Sequence, residues 1–192
     1  MHPNRTGMAM LVLLPFLAVA AALATGQSFD FMPAGGKTIL IETLGKGDPV
    51  EIATIASRKA DREEWGAWVR SHAAGLDDPA IETFAGYAAL NFPLDEEKLL
   101  AIRENGLDMP EDDDPVLPPD GKDLAIAQCQ FCHSLFSSYL MQDRDKVGWE
   151  STFKSPFHTE LPMTKTERAT FVSYSVTNMP LKFEDVPPEL RF

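Results

Sequence analysis

The 192 residues suffice for one ordinary domain or two small ones, and a hydrophobic content of 44% supports a packed core rather than general disorder. Against 17 Lys and Arg stand 29 Asp and Glu, a net charge of -12, which argues against nucleic acid and anionic lipid surfaces as partners. Two cysteines are too few for the disulfide framework of a small secreted scaffold.

At the start of the chain, Arg5 precedes an unbroken apolar run from Met8 to Ala24 that closes on Ala22-Leu23-Ala24. This is the pattern of a secretory signal peptide over residues 1–24, with small residues where the peptidase cuts. The run is somewhat short for a membrane-spanning helix of ~20 residues. If it is not cleaved, residues 8–27 serve as an N-terminal anchor, the one way in which a membrane enters. In either case the rest of the chain is expected outside the cytoplasm.

Residues 25–60 read as a glycine-rich lead-in with one short strand around Thr38-Ile39-Leu40-Ile41. Residues 61–105 carry helical spacing, with Trp65, Trp68 and Val69 on one face. Asp78-Pro79 supplies an N-cap and first-turn proline for a helix reaching about Leu90. Residues 25–110 therefore form a first helical half. An acidic, proline-rich linker follows at 111–121, and a second half at 122–192. That half opens with a helix from Lys122 into Cys129-Gln130-Phe131-Cys132-His133. It closes with a helix that starts at the capping box Thr164-Lys165-Thr166-Glu167 and ends before Pro180.

The halves resemble one another. Phe84, Tyr87, Asn91, Pro93 and Leu94 recur as Phe171, Tyr174, Asn178, Pro180 and Leu181 at a constant offset of 87. Trp65 matches Trp149 if a three-residue insertion is allowed, which brings His72 close to His158. A degenerate duplication explains this better than chance likeness between two amphipathic helices. The first copy contains no cysteine.

Cys-x-x-Cys-His is the attachment signature of c-type haem. Two thiols on one helical turn reach the two vinyl groups on one porphyrin edge, and the following His133 meets the iron as proximal ligand. A thioredoxin-like pair needs a preceding buried strand, and Asp123 to Gln128 reads as helix instead. A Cys2His2 zinc site using His158 would strain His133 against its neighbour Cys132. One covalent haem c on Cys129, Cys132 and His133 is the expected cofactor.

The region from residue 119 onward resembles a class I c-type cytochrome domain: a leading helix, CxxCH, a loop with Trp149, a distal-ligand loop and a closing helix with Tyr174. The likeness extends to the small monohaem cytochrome subunits of periplasmic dehydrogenases, through Trp149 and Tyr174 to Pro180. The resemblance implies an all-α fold around one haem, preceded here by a degenerate helical half. It also implies electron transfer rather than catalysis, in the periplasm, with a protein redox partner. An acidic carrier suits a partner with a basic docking face.

The sixth iron ligand stays open between two residues. His158 lies close to where the family places its ligand methionine and is the first candidate; Met163 is the second. Met179 follows the closing helix and is read as core. Methionine would give the higher potential, a second histidine the lower, and an open iron would bind a small ligand. Trp149 either packs on the porphyrin edge or donates its ring N–H to a propionate.

Overall fold

The computed structural model describes residues 29–107, 115–130 and 132–192; the expected signal or anchor and part of the linker lie outside the described residues. Every regular element among the described residues is helical, as expected for an all-α chain.

The lead-in departs from the sequence reading. Helix α1 (Gly36–Thr38) runs directly into wider, π-type turns over Ile39–Leu44, and no strand forms among the described residues. Ile39, Leu40 and Leu44 are buried there, so packing overrides the extended preference of a β-branched run. A further helix, α2 (Pro49–Ala56), also lies in the segment read as lead-in. Asp48 caps it by accepting from the Val50 amide at 2.9 Å, Pro49 presets its first turn, and Ile52, Ala53, Ile55 and Ala56 are buried.

The remaining helices of the first half follow expectation. Helix α3 (Arg62–His72) starts on the capping box Asp61/Glu64 and buries Trp65 and Val69. Helix α4 (Asp78–Asn91) is capped by Asp77, one residue earlier than the sequence suggests, with Pro79 in its first turn. Helix α5 (Glu96–Asn105) is capped by Asp95 and packs against α2. Their core includes Leu40, Ile52, Trp65, Phe84 and Ile102, together with Val116 and Leu117 from the segment leading into the second half.

The second half consists of α6 (Gly121–Cys129), π-type turns over Phe136–Leu140, α7 (Lys146–Thr152), α8 (Pro156–Thr159) and α9 (Lys165–Asn178). The capping box at Thr164/Glu167 opens α9 as the sequence indicates, and a second one, Asp120/Asp123, opens α6. A separate core forms around Leu124, Tyr139, Trp149, Phe171 and Tyr174. Phe29, Phe31 and Met32 pack on this core and not on the first.

The sequence repeat is also a spatial one. Helices α4 and α9 pack on each other through reciprocal hydrogen bonds: Asn91 Nδ2 donates to Thr170 Oγ1 at 3.1 Å, and Asn178 Nδ2 to Thr83 Oγ1 at 2.8 Å. Tyr87 Oη donates to the Pro118 carbonyl at 2.8 Å, just before α6. Tyr174 Oη donates to the Pro33 carbonyl at 2.7 Å, just before α1. Gly36 and Gly121 let each half's first helix touch its tyrosine. A Cβ on either would stand 2.3 Å from Tyr87 Cβ or 2.1 Å from Tyr174 Cβ. Beyond the paired helices, the Leu94 amide donates to the Ala56 carbonyl at 3.0 Å and the Leu181 amide to the Leu140 carbonyl at 2.8 Å.

Candidate functional site

Helix α6 delivers Cys129 at its last turn, and the chain then turns so that Cys132 and His133 are exposed. All three line a cavity of ≈ 550 Å³, within the usual size of cofactor pockets. Its inner wall is aromatic. Trp149 is 1% exposed and packs beside Tyr139 and edge-on to Phe171, while Phe153 packs edge-on to Phe171. Tyr139 Oη is hydrogen-bonded to Ser175 Oγ at 3.0 Å, and Ser175 Oγ donates to the Phe171 carbonyl, so this wall is fixed from behind. Burial raises the Tyr139 phenol well above its ordinary range and keeps it neutral.

The loop around α8, which carries both candidates for the sixth ligand, also lines the cavity. His158 and Met163 line the same cavity as the CxxCH residues. The His133 and His158 rings have centroids 6.1 Å apart and planes at 83°. A first-row metal held about 2 Å from one nitrogen of each ring would separate the centroids by about 6 Å. His158 Nδ1 lies 3.1 Å from the Thr152 carbonyl. As donor to that carbonyl, Nδ1 carries the proton and leaves Nε2 free to bind a metal, the usual arrangement for a ligating histidine. Met163 is buried in the second core; Met179 is buried there too, past the end of α9.

Burial pushes the Cys129 thiol up to about 12. A thiol so raised stays protonated and is a poor nucleophile, the reverse of a reactive redox pair. Among the described residues no three His, Cys, Asp or Glu side chains gather into a metal-binding cluster, so the Cys2His2 zinc arrangement is not assembled. Two histidines, His133 and His158, do come together at this cavity.

Comparison with known proteins finds no matching family model, no similar curated protein and no similar solved structure.

The other residues singled out in the sequence fall elsewhere. His72 is exposed and stacks on Trp68 at 4.4 Å. The Trp149 Nε1 is buried without a partner among the described residues, and so is that of Trp65 in the half without cysteines. The orphaned N–H is therefore a property of the repeat and does not single out the cavity. Sequence reasoning missed Thr152, whose contribution is a backbone carbonyl, and Arg144. The Arg144 guanidinium lies over the Trp149 ring at 5.2 Å and donates to Gln142 Oε1 and Thr152 Oγ1 at the cavity's edge. Gln142-x-Arg144 just before the Asp145 cap was the available signal. His133 also borders a second cavity of ≈ 400 Å³, lined as well by Leu190 and Phe192 of the C-terminal tail.

Proposed function

We propose that this chain is an exported monohaem c-type cytochrome that carries single electrons between protein partners. In this reading Cys129 and Cys132 hold one haem c through thioethers, His133 is the proximal ligand and His158 the distal one. The bound haem supplies one-electron chemistry, its iron passing between ferric and ferrous states. The protein's own residues attach, orient and desolvate the group. The aromatic wall of Trp149, Phe153 and Phe171 excludes water, and Thr152 sets the tautomer of His158. Residues 122–192 are thus a cytochrome c-like domain, and residues 25–110 a degenerate copy of it without haem.

The observation that carries this reading is the arrangement of the cavity. The CxxCH residues and His158, held by the Thr152 carbonyl, line one cavity, with the His133 and His158 rings 6.1 Å apart. Export supports it as well, since c-type haem attachment and the N-terminal pattern of residues 1–24 belong to the same compartment. Charge bears on the partner. Residues 29–118 carry 19 acidic against 8 basic side chains, whereas residues 119–192 carry 10 against 8. A basic redox partner is drawn mainly by the haem-free half, and its docking weakens as salt rises past ~0.1 M.

A pyridine haemochrome spectrum and an intact mass of the exported protein test the reading together. One covalent haem c on a chain shortened by its signal supports it, and a chain without haem ends it. The distal assignment has its own test. His158→Ala should turn the haem high spin, Met163→Leu should leave it low spin, and the ferric protein should lack the weak red absorption of methionine ligation. The opposite pattern gives the ligand position to Met163. A wild-type haem already high spin would favour binding of a small ligand at an open iron.

A further inference from the structure

Resting on that reading, we infer that Arg168 is the positioning residue that selects His158 over Met163 as the sixth ligand. Arg168 lies on the first turn of α9, outside the cavity wall. Its Nη2 donates to the carbonyls of Thr159 at 2.9 Å and Leu161 at 3.2 Å, and its Nε donates to the carbonyl of Met163 at 3.2 Å. The same guanidinium lies 5.1 Å from the ring centroid of Phe153, which lines the cavity. One side chain therefore ties together the residue after His158, the middle of the loop, Met163 itself and the aromatic wall.

The effect is geometric. Both candidate ligands lie in one loop, and a modest shift of that loop would exchange them. With its carbonyls held by a rigid five-donor fork, the loop is fixed with Met163 packed in the second core and the His158 ring across from His133. Hydrogen bonds from a charged donor are the stronger kind, and here three go to the backbone of one loop. Lysine carries the charge and three donors but not the rigid planar fork, so it should hold the loop less firmly.

The test uses the full exported chain with its haem. In Arg168→Gln the ferric haem should gain the red methionine absorption, or a high-spin fraction, and its midpoint potential should rise. Cyanide should bind the ferric form about tenfold faster or more, in keeping with the loss of charged hydrogen bonds. Adding Met163→Leu to Arg168→Gln should abolish the red absorption, which identifies Met163 as the methionine that has bound. Arg168→Lys, which keeps the charge and the stem, should fall between wild type and Arg168→Gln in cyanide rate. A folded Lys or Gln variant with the wild-type spectrum, potential and cyanide rate overturns the inference and leaves the haem reading intact. Wild-type protein without covalent haem overturns both.

Discussion

The two halves follow one plan, and they differ where a cofactor would sit. Counted from the N-caps of their first helices, Gly35 and Asp120, the segment Leu44-Gly45-Lys46-Gly47-Asp48 stands where the second half has Cys129 to His133. The next helix starts on Asp61 in one half and Asp145 in the other, and each places a buried tryptophan, Trp65 or Trp149, at the same step. Then the paths part. In the first half α3 runs on unbroken, and Trp68 packs edge-on against Trp65 with the Arg58 guanidinium 4.8 Å from its ring centroid. In the second half Thr152 occupies the position of Trp68, the helix stops, and three more residues form the loop with His158 and Met163. A closed apolar core in one half thus corresponds to an open, aromatic-walled cavity in the other. One large side chain exchanged for a threonine, and one short insertion, are where the two halves part.

The most drastic way to break this comparison is to remove the attachment. Cys129→Ala combined with Cys132→Ala should abolish covalent haem altogether, read by haem stain and mass, and should leave a large cavity with nothing in it. Unfilled apolar space is destabilising, so the second half should then unfold before the first. The same kind of change at the corresponding place in the first half, Leu44→Ala, should leave haem content at the wild-type level. Haem loss from Leu44→Ala would mean that the halves are not independent in the way their separate cores imply.

Next in size come the two close approaches. Gly36→Ala and Gly121→Ala each drive a methyl group into a tyrosine, and overpacking of this kind costs about 1–3 kcal/mol. Because the contacts are nearly the same, the two losses should be similar in urea unfolding. A much smaller loss at Gly121 would show that the half with the cavity can shift to make room and the filled half cannot. Smaller still are the paired hydrogen bonds between α4 and α9. Thr83→Val and Thr170→Val each strip a buried acceptor from a half-buried asparagine, at about 1 kcal/mol apiece. A wide inequality between the two would place the strength of the interface on one side of the repeat.

Helices α3 to α6 and α9, the repeat and the CxxCH residues were legible in the sequence because each is written in neighbouring residues: Asp78-Pro79, the Thr164/Glu167 box, the constant offset of the tyrosines. Trp149, expected in a loop, lies instead in helix α7 behind the Asp145 cap. What escaped depends on distant ones. Pro49 behind Asp48 carried the same signal as Asp78-Pro79 and was overlooked inside a glycine-rich stretch. The start of α1 carried no local signal at all. Gly35 offers no capping side chain, and its helix end is served from the other half. His158 was placed by resemblance to within one loop. The Thr152 carbonyl and the Arg168 fork that orient that loop act through backbone atoms, which sequence patterns do not encode.

The last expected effect concerns that borrowed cap, the point where the repeat cannot be symmetric. Asp120 accepts from the amides of Lys122 and Asp123 at the start of its own helix, at 2.9 Å and 3.0 Å, and from the Lys37 amide of α1 at 3.0 Å. One carboxylate thus caps two helices, and a Cβ on Gly35 would collide with it, so the first half cannot keep a side chain of its own there. Burial raises the Asp120 carboxyl from its ordinary value, with the nearby Asp123 adding to the rise and Lys37 opposing it. A carboxyl whose folded pKa is raised binds its proton more tightly in the folded state. Its contribution is therefore complete below the unfolded value of ~3.9, and is lost as pH climbs from there through the raised folded value. Asp120→Asn keeps one capping oxygen without the charge, so this part of the pH dependence should vanish, while one of the two helix starts faces the amide NH2 and loses its cap. Asp120→Ala should remove the slope as well and destabilise both helix starts, by about 1 kcal/mol for each cap lost. Urea unfolding of the three proteins at pH 4 and pH 7 separates these outcomes. An unchanged slope in Asp120→Asn would assign the pH dependence to other carboxylates and leave Asp120 with its capping role alone.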